Sequence, residues 1–386
     1  MSLISPDNSM AVMAGLFCIS GAAFMLEKTR IGSQLTGAVI AILAAILAAN
    51  IGLIPHSAPA YDFVFTYFVP VLIPLFLFKA DLRRIISEAG RTTAAFMLAT
   101  TGTVAGVTVA ALVLDLSSLG AMADIAESQR EPAIAALFTS TYIGGSVNYA
   151  ALGEITGLKE DASFFSAATA ADNLFSAVYL GLLALLPGWT WLAKRFVPHS
   201  DAPPIAEEAT APISAMSLTI SLALALLIVT LGDALGSALG LQGWRYVLIT
   251  SIALAFATLM PNMARKLSGS FELGVGLSFV FFTAIAAGAD VFAMIEVGPL
   301  LIVLVLILLS IHLAITLGLG MLFKLSLPEL IIASNAAVLG ATTAPALAAT
   351  KGWNNLVTPG VLVGVLGYAL GTFLGTLVFK YWGAIL

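Results

Sequence analysis

Apolar residues are collected along this chain in long blocks, separated by short polar turns. A membrane-spanning helix needs about 20 mostly apolar residues. By that measure runs fall at 10 to 26, 32 to 54, 62 to 79, 92 to 114, 132 to 156 and 162 to 187. Six more follow at 213 to 231, 245 to 261, 272 to 289, 299 to 323, 329 to 350 and 357 to 380. Between the two sets lies Pro198 to Pro212, where proline meets acidic and small residues in the composition of a solvated linker. The pattern predicts a first repeat over 1–197, a polar linker over 198–212 and a second repeat over 213–386. Laid over each other, the halves match in places: Gly144-Gly145-Ser146 on Gly340-Ala341-Thr342, Ala168 on Gly364, Ser176 on Thr372, and Ala80-Asp81 on Ala289-Asp290.

Composition says what surrounds these blocks. The 386 residues are 60% hydrophobic and 10% charged, with a mean hydropathy of +1.04, against about 25% charged in soluble domains. A single water-soluble core stops growing near roughly 250 to 300 residues, so the excess apolar surface faces lipid. The expectation is an all-α protein with 10 to 12 transmembrane helices in the cell (inner) membrane. Sixteen basic residues under a net charge of −5 form no positive face for nucleic acid. Cys18 is the lone cysteine and sits inside an apolar run, where it reads as a packing residue. Met1 to Met10 carries no basic cluster, so the first run is expected to stay in the mature protein.

Charge placement orients the blocks. Lys28 and Arg30 follow the first run, and Lys79, Arg83, Arg84 and Arg91 follow the third, which makes those loops cytoplasmic and the N-terminus external. In the second half the bias changes sides: Asp233, Asp290 and Glu296 occupy the corresponding loops, while Arg265 and Lys266 sit in the opposite one. That is the mark of an inverted repeat. Inversion requires an odd number of crossings per half, so one run in each set has to turn back. The candidates are 132 to 156 and 329 to 350, rich in Gly, Ser, Thr, Asn and Pro. Making them re-entrant sharpens the asymmetry of Lys and Arg between the two sides.

Non-helical backbone at membrane depth survives only where protein buries it or it lines a wet cavity. The run from Thr139 to Tyr149 holds Thr141, Tyr142, Gly144, Gly145, Ser146 and Asn148: paired glycines to loosen a helix, with hydroxyls and an amide to coordinate an ion or a solute. Its counterpart from Ser334 to Pro345 holds Asn335, Gly340, Thr342, Thr343 and Pro345, and Pro345 removes a backbone donor. Broken helices offer amides at one end and carbonyls at the other. Close packing of small residues is the alternative for both stretches.

Asp172 is the sharpest signal. It lies about ten residues from either end of its run, and a mid-helix charge costs at least about 2.5 kcal/mol. A carboxyl kept there can exchange a proton for a cation, and Asn173 beside it can orient a ligand. His312 is the histidine deep in an apolar run, suited to a proton relay, an anion contact or a neutral hydrogen bond. Lys79 and Asp81 read as interfacial anchors. Gly367, Gly371 and Gly375 recur every four residues and make a smooth helix face for a neighbour, inside the chain or in a second copy as a homodimer. Zinc spacing, a P-loop, a Rossmann glycine pattern and a serine–histidine pair are all missing from the sequence. The chain is therefore expected not to be an enzyme and to draw on an ion gradient, with Na⁺ or H⁺ as coupling ion and no other cofactor.

Over nearly its whole length the sequence resembles the bacterial membrane-protein family called domain of unknown function 819, through Phe138 to Asn148 and Ala171-Asp172-Asn173. More distantly it is similar to the group of cation/proton antiporters and bile-acid-type sodium symporters. That resemblance implies a panel domain and a core domain, inverted repeats, and broken helices that cross in the core. The antiporters carry an acidic or Asn-Asp pair, matched here by Asp172-Asn173 in reversed order with one acid. In the symporters oxygen ligands around the crossing hold sodium, a role that Thr141, Ser146, Asn148, Thr342 and Thr343 could fill. The expected function is secondary transport: a sodium- or proton-coupled carrier of a small, for example anionic, organic solute by elevator-like movement. The alternatives are a monovalent cation/proton antiporter and a membrane-embedded sensor or scaffold.

Overall fold

The computed structural model describes residues 2–29, 37–199, 212–289 and 291–385. Helices are the regular structure of those residues, and no named strand occurs among them. The first half holds α1 (Ser9–Glu27), α2 (Gly37–Asn50), α3 (Pro59–Leu77), α4 (Leu82–Val113), α5 (Glu127–Thr156) and α6 (Ala162–Leu185). The second holds α7 (Ala215–Leu239), α8 (Arg245–Leu259), α9 (Ser270–Ala287) and α10 (Val291–Leu322). It continues with the pair α11 (Leu327–Leu339) and α12 (Thr343–Thr350), and ends with α13 (Val357–Ile385). Each expected apolar run has become a helix or a helix pair. Eight helices among the described residues are long and apolar enough to cross a bilayer, and α2, α8 and α11 are shorter apolar helices. Together with large aliphatic and aromatic side chains left on the outer surface, this makes the chain an all-α, multi-pass membrane protein. Most of the 198–212 linker lies outside the described residues, as do Arg30 and Asp290.

α5 and the α11–α12 pair are hairpins. α5 breaks at Gly145, whose φ of 70° and ψ of −167° lie outside any helix. Its two arms then run side by side along α13: a methyl placed on Gly371 would meet both Ser140 and Asn148, and one on Gly375 both Ala136 and Leu152. The return arm ends at left-handed Gly157. Beyond it Asp161 caps α6 through the Phe164 amide at 2.9 Å and accepts from the Met122 amide at 3.1 Å. The exit of the hairpin is thereby tied to the loop that precedes its entry. α11 breaks at Gly340, with nearly the same backbone angles, φ 89° and ψ −172°. Its arms meet α13 one above the other as well, with Ile332 and Pro345 both against Gly360. The equivalence of the breaks sets Gly340 against Gly145, one residue from the register that pairs it with Gly144.

The hairpins enter from opposite ends of the bundle. Residues at the base of the second contact the early part of α4 and the segment that follows α6: Arg91 pairs with Glu329, and His199 bonds Ser326 and Asn355. The base of the first shares its end with Arg130, Lys159, Arg245 and Lys380, and the other described Lys and Arg residues lie at the opposite end. By the positive-inside rule that richer end is cytoplasmic. Turned-back segments agree with the charge count and differ from the crossing helices that the distant resemblance implies. The physical reason is the length of the return arms: 146–156 and Thr343–Thr350, at about 1.5 Å per residue, reach only partway through a bilayer.

Two bundles result. One collects α1, α2, α3, α7, α8 and α9, and the other packs α4, α6, α10, α13 and both hairpins together. The glycine stripe of α13 faces the hairpins. Its neighbour is internal, so the stripe offers no face to a second copy.

Candidate functional site

The tips of both hairpins come to the same height on α13. A methyl on Gly364 would strike Ala341 of the second, and one on Gly367 the Ile143 carbonyl of the first, while Tyr368 stands next to Gly145 and Gly340 alike. In front of the tips, toward the other bundle, lies a cavity of about 500 Å³. Its core wall carries Thr141, Gly145, Ser146, Thr342 and Thr343 from the tips and Asp172 and Asn173 from α6. Seven of the residues expected from sequence to serve an ion or solute are thus on one surface. Two helix N-termini, at Ser146 and Thr343, and the C-terminus at Leu339 open here, while at the fourth helix end the Gly144 carbonyl is taken by Asn148.

Asp172 is the charge on this wall. One carboxylate oxygen accepts from the Thr141 hydroxyl at 3.3 Å. The other, Oδ1, is buried and makes no well-formed hydrogen bond among the described residues, although the Tyr142 and Ser176 hydroxyls stand within reach of the carboxyl. Buried polar atoms are nearly always satisfied, so this oxygen marks a place for a ligand or a proton.

The remaining expected residues do other work. Asn148 is fully buried, gives a hydrogen bond to the Gly144 carbonyl at 2.6 Å, and accepts from the Thr372 amide at 2.8 Å and from the Thr372 hydroxyl. It fastens the first tip to α13 and has nothing left for an ion. Gly144 is a clearance residue: a β-carbon there would lie 2.3 Å from the Gly367 carbonyl oxygen. Tyr142 is buried behind the wall and its hydroxyl is unpaired among the described residues. Asn335 lies behind the second tip, where it accepts from the Thr343 hydroxyl at 2.6 Å while its amide nitrogen stays unused. Pro345 does not make the break. It sits in the first turn of α12, where a backbone donor has no intrahelical acceptor to lose, and the chain turns at Gly340 instead. His312 is outside the cavity, fully buried between Thr103 at 2.9 Å and Ser334 at 2.9 Å, with Tyr179 bonding the same serine at 2.7 Å. This is the neutral interhelical hydrogen bonder among the readings of His312.

The opposite wall was not legible as a site in the sequence. Phe24, Phe76, Phe271, Phe279 and Phe282 line it, together with Glu27, whose carboxylate accepts from the Gly37 amide at 2.9 Å. Glu27 carried one signal: an acid at a helix C-terminus opposes the macrodipole, so it needs a reason to be there.

A family model described as a protein of unknown function (DUF819) matches residues 14–382. A relative named "Uncharacterized membrane protein YjcL", from Bacillus subtilis (strain 168), is 30% identical over 414 residues, covering all of both chains. The chain belongs to the DUF819 family of membrane proteins.

Proposed function

We propose that this protein is a secondary active transporter, a sodium- or proton-coupled carrier of a small organic solute that works by elevator-like movement of the hairpin bundle against the other. The observation that carries the reading is the meeting of two helix breaks, Gly145 and Gly340, at one cavity wall beside a carboxylate oxygen with no well-formed hydrogen bond among the described residues. Each feature is costly inside a membrane, and their convergence gives them a common purpose. The cavity lies between the two bundles, so sliding one past the other would carry the wall, and whatever it holds, across the barrier. The order of elements supports an inverted repeat, since each half contributes three helices to one bundle and two helices with a hairpin to the other, and its hairpin enters from its own end.

Cation/proton antiport is the second reading, favoured by the idle Asp172 Oδ1, which can take a proton or a cation in turn. Protein reconstituted in vesicles decides: solute uptake that needs a sodium or proton gradient supports the first, and solute-independent exchange of a monovalent cation for protons supports the second. Asp172→Asn should abolish exchange in the antiporter and leave part of the uptake in a carrier that uses the residue only to shape the wall. Vesicles that show neither flux would leave the sensor or scaffold reading standing.

A further inference from the structure

The two walls of the cavity differ in chemistry, and the difference constrains the charge of what fits between them. Among the described residues that line it, the charged ones are Asp172 and Glu27, with no Lys, Arg or His. The helix ends do not change this balance. Each N-terminus is worth about half a positive charge and each C-terminus about half a negative one, so two of each cancel. Among the described lining residues what remains is the pair of carboxylates, one on each wall. Two unit charges of like sign at 4 Å repel by about 4 kcal/mol at an effective dielectric of 20, so an anionic solute would be opposed from both sides.

The aromatic wall then separates organic from inorganic cations. Phe24 and Phe279 stack at 4.0 Å with their rings parallel to within 1°, and Phe76 packs at 5.3 Å on Tyr368, which stands between the hairpin tips. A bare metal ion takes oxygen ligands at about 2.0 to 2.6 Å and would leave most of 500 Å³ of aromatic-walled space unused. An ammonium group with apolar substituents uses both walls: its charge meets the carboxylates, and ring faces take up its alkyl shell and its positive field.

We infer that the solute of this cavity is a small organic ammonium compound, bound with its positive nitrogen between Asp172 and Glu27 and its apolar part against the phenylalanine wall. The inference rests on this cavity being the solute site of the proposed carrier. It replaces the anionic solute among the expectations from sequence with one of opposite charge.

The test separates binding from transport. Thermal unfolding of the purified full chain is followed with a panel of small ammonium ions, from tetramethylammonium and choline to phenethyltrimethylammonium. Controls are 3,3-dimethyl-1-butanol, the uncharged isostere of choline, and propionate, all at one ionic strength. A ligand that binds only the folded protein raises its apparent stability. We expect at least one ammonium compound to stabilise the protein while the isostere and propionate do not. Asp172→Asn and, independently, Glu27→Gln should each weaken its apparent affinity about tenfold, or about 1.4 kcal/mol. Glu27→Gln keeps an acceptor for the Gly37 amide, so one variant remains if the other fails to fold. Stabilisation by propionate or the isostere equal to that by any ammonium compound, or by none of the panel, overturns the inference. Uptake assays with the same compounds make the two failures distinguishable. Ammonium binding without flux sinks the carrier and leaves the charge assignment intact, whereas flux of propionate without ammonium binding does the reverse.

Discussion

The first hairpin turns at Gly144-Gly145 and the second at Leu339-Gly340, and the extra glycine tracks how firmly each tip is held. At the first tip Asn148 commits both lone pairs of its oxygen to Thr372 and its amide to the Gly144 carbonyl, and Gly144 lies so close to α13 that no side chain fits. At the second, Leu339 takes the equivalent place and lines the cavity, and Asn335 bonds Thr343 of its own hairpin while its amide nitrogen stays idle. The bases are both held, the first through Asp161, which accepts from the Met122 amide, and Glu131, which accepts from Trp382 of α13. The second is gripped by Arg91, with bonds of 2.6 and 3.1 Å to Glu329, and by His199, which joins Ser326 to Asn355 across its two ends. The comparison teaches that two equivalent breaks can be held unequally, the first at both tip and base and the second at its base. In a carrier that arrangement leaves the second tip as the part free to adjust to a ligand.

The largest effect should come from Gly144→Ala. Its new methyl would lie 2.0 Å from the Asn148 amide nitrogen and 2.3 Å from the Gly367 carbonyl oxygen, and overpacking of this kind costs about 3 kcal/mol. A loss of that size in reversible unfolding in detergent would confirm that the first tip is wedged against α13. Asn148→Ala follows at about 2 to 3 kcal/mol. It removes three interhelical or cross-tip bonds worth about 0.6 kcal/mol each in a membrane protein and leaves the Gly144 carbonyl and Thr372 groups buried without partners. Gly340→Ala comes next. The nearest atom to its new methyl is the Tyr368 hydroxyl at 3.6 Å, so there is room, and the cost is the strain of a non-glycine residue at φ 89°, about 1 to 2 kcal/mol. Should Gly340→Ala prove as damaging to stability as Gly144→Ala, the distinction between a steric and a conformational glycine would fall.

Much of this arrangement could be read before any coordinates. The apolar runs became helices because bilayer thickness imposes one length on every crossing. The turned-back segments showed in charge placement, since a hairpin changes the side of every later loop. Asp172 stood out because its mid-membrane position is expensive whatever surrounds it. Asn148 and His312 were harder. Their side chains advertise hydrogen bonding in the sequence, but whether the partner is a ligand or a neighbouring helix depends on packing between segments distant in the chain. Asn148 met Thr372 and His312 met Thr103, and both became structural. Pro345 misled because a proline breaks a helix interior but is harmless in a first turn. The phenylalanine wall was invisible for a simpler reason: in a membrane protein phenylalanine is unremarkable until a cavity singles out its face.

The smallest effect on stability should belong to Asn335→Ala, and it probes the comparison most directly. The substitution removes one hydrogen bond, from the Thr343 hydroxyl, which retains the Gly340 carbonyl at 3.4 Å as an alternative acceptor. The idle amide nitrogen has no partner among the described residues to strand. One interhelical bond in a membrane is worth about 0.6 kcal/mol, so the unfolding midpoint should hardly move beside that of Asn148→Ala. Transport should respond more than stability does. Thr343 sits at the amide-presenting end of α12 and lines the cavity, and without Asn335 its hydroxyl is free to rotate away from the position it holds there. We expect uptake by reconstituted protein to fall several-fold with a near-native unfolding midpoint. An unfolding loss matching that of Asn148→Ala would instead make the second tip as firmly anchored as the first, and the contrast between the hairpins would disappear.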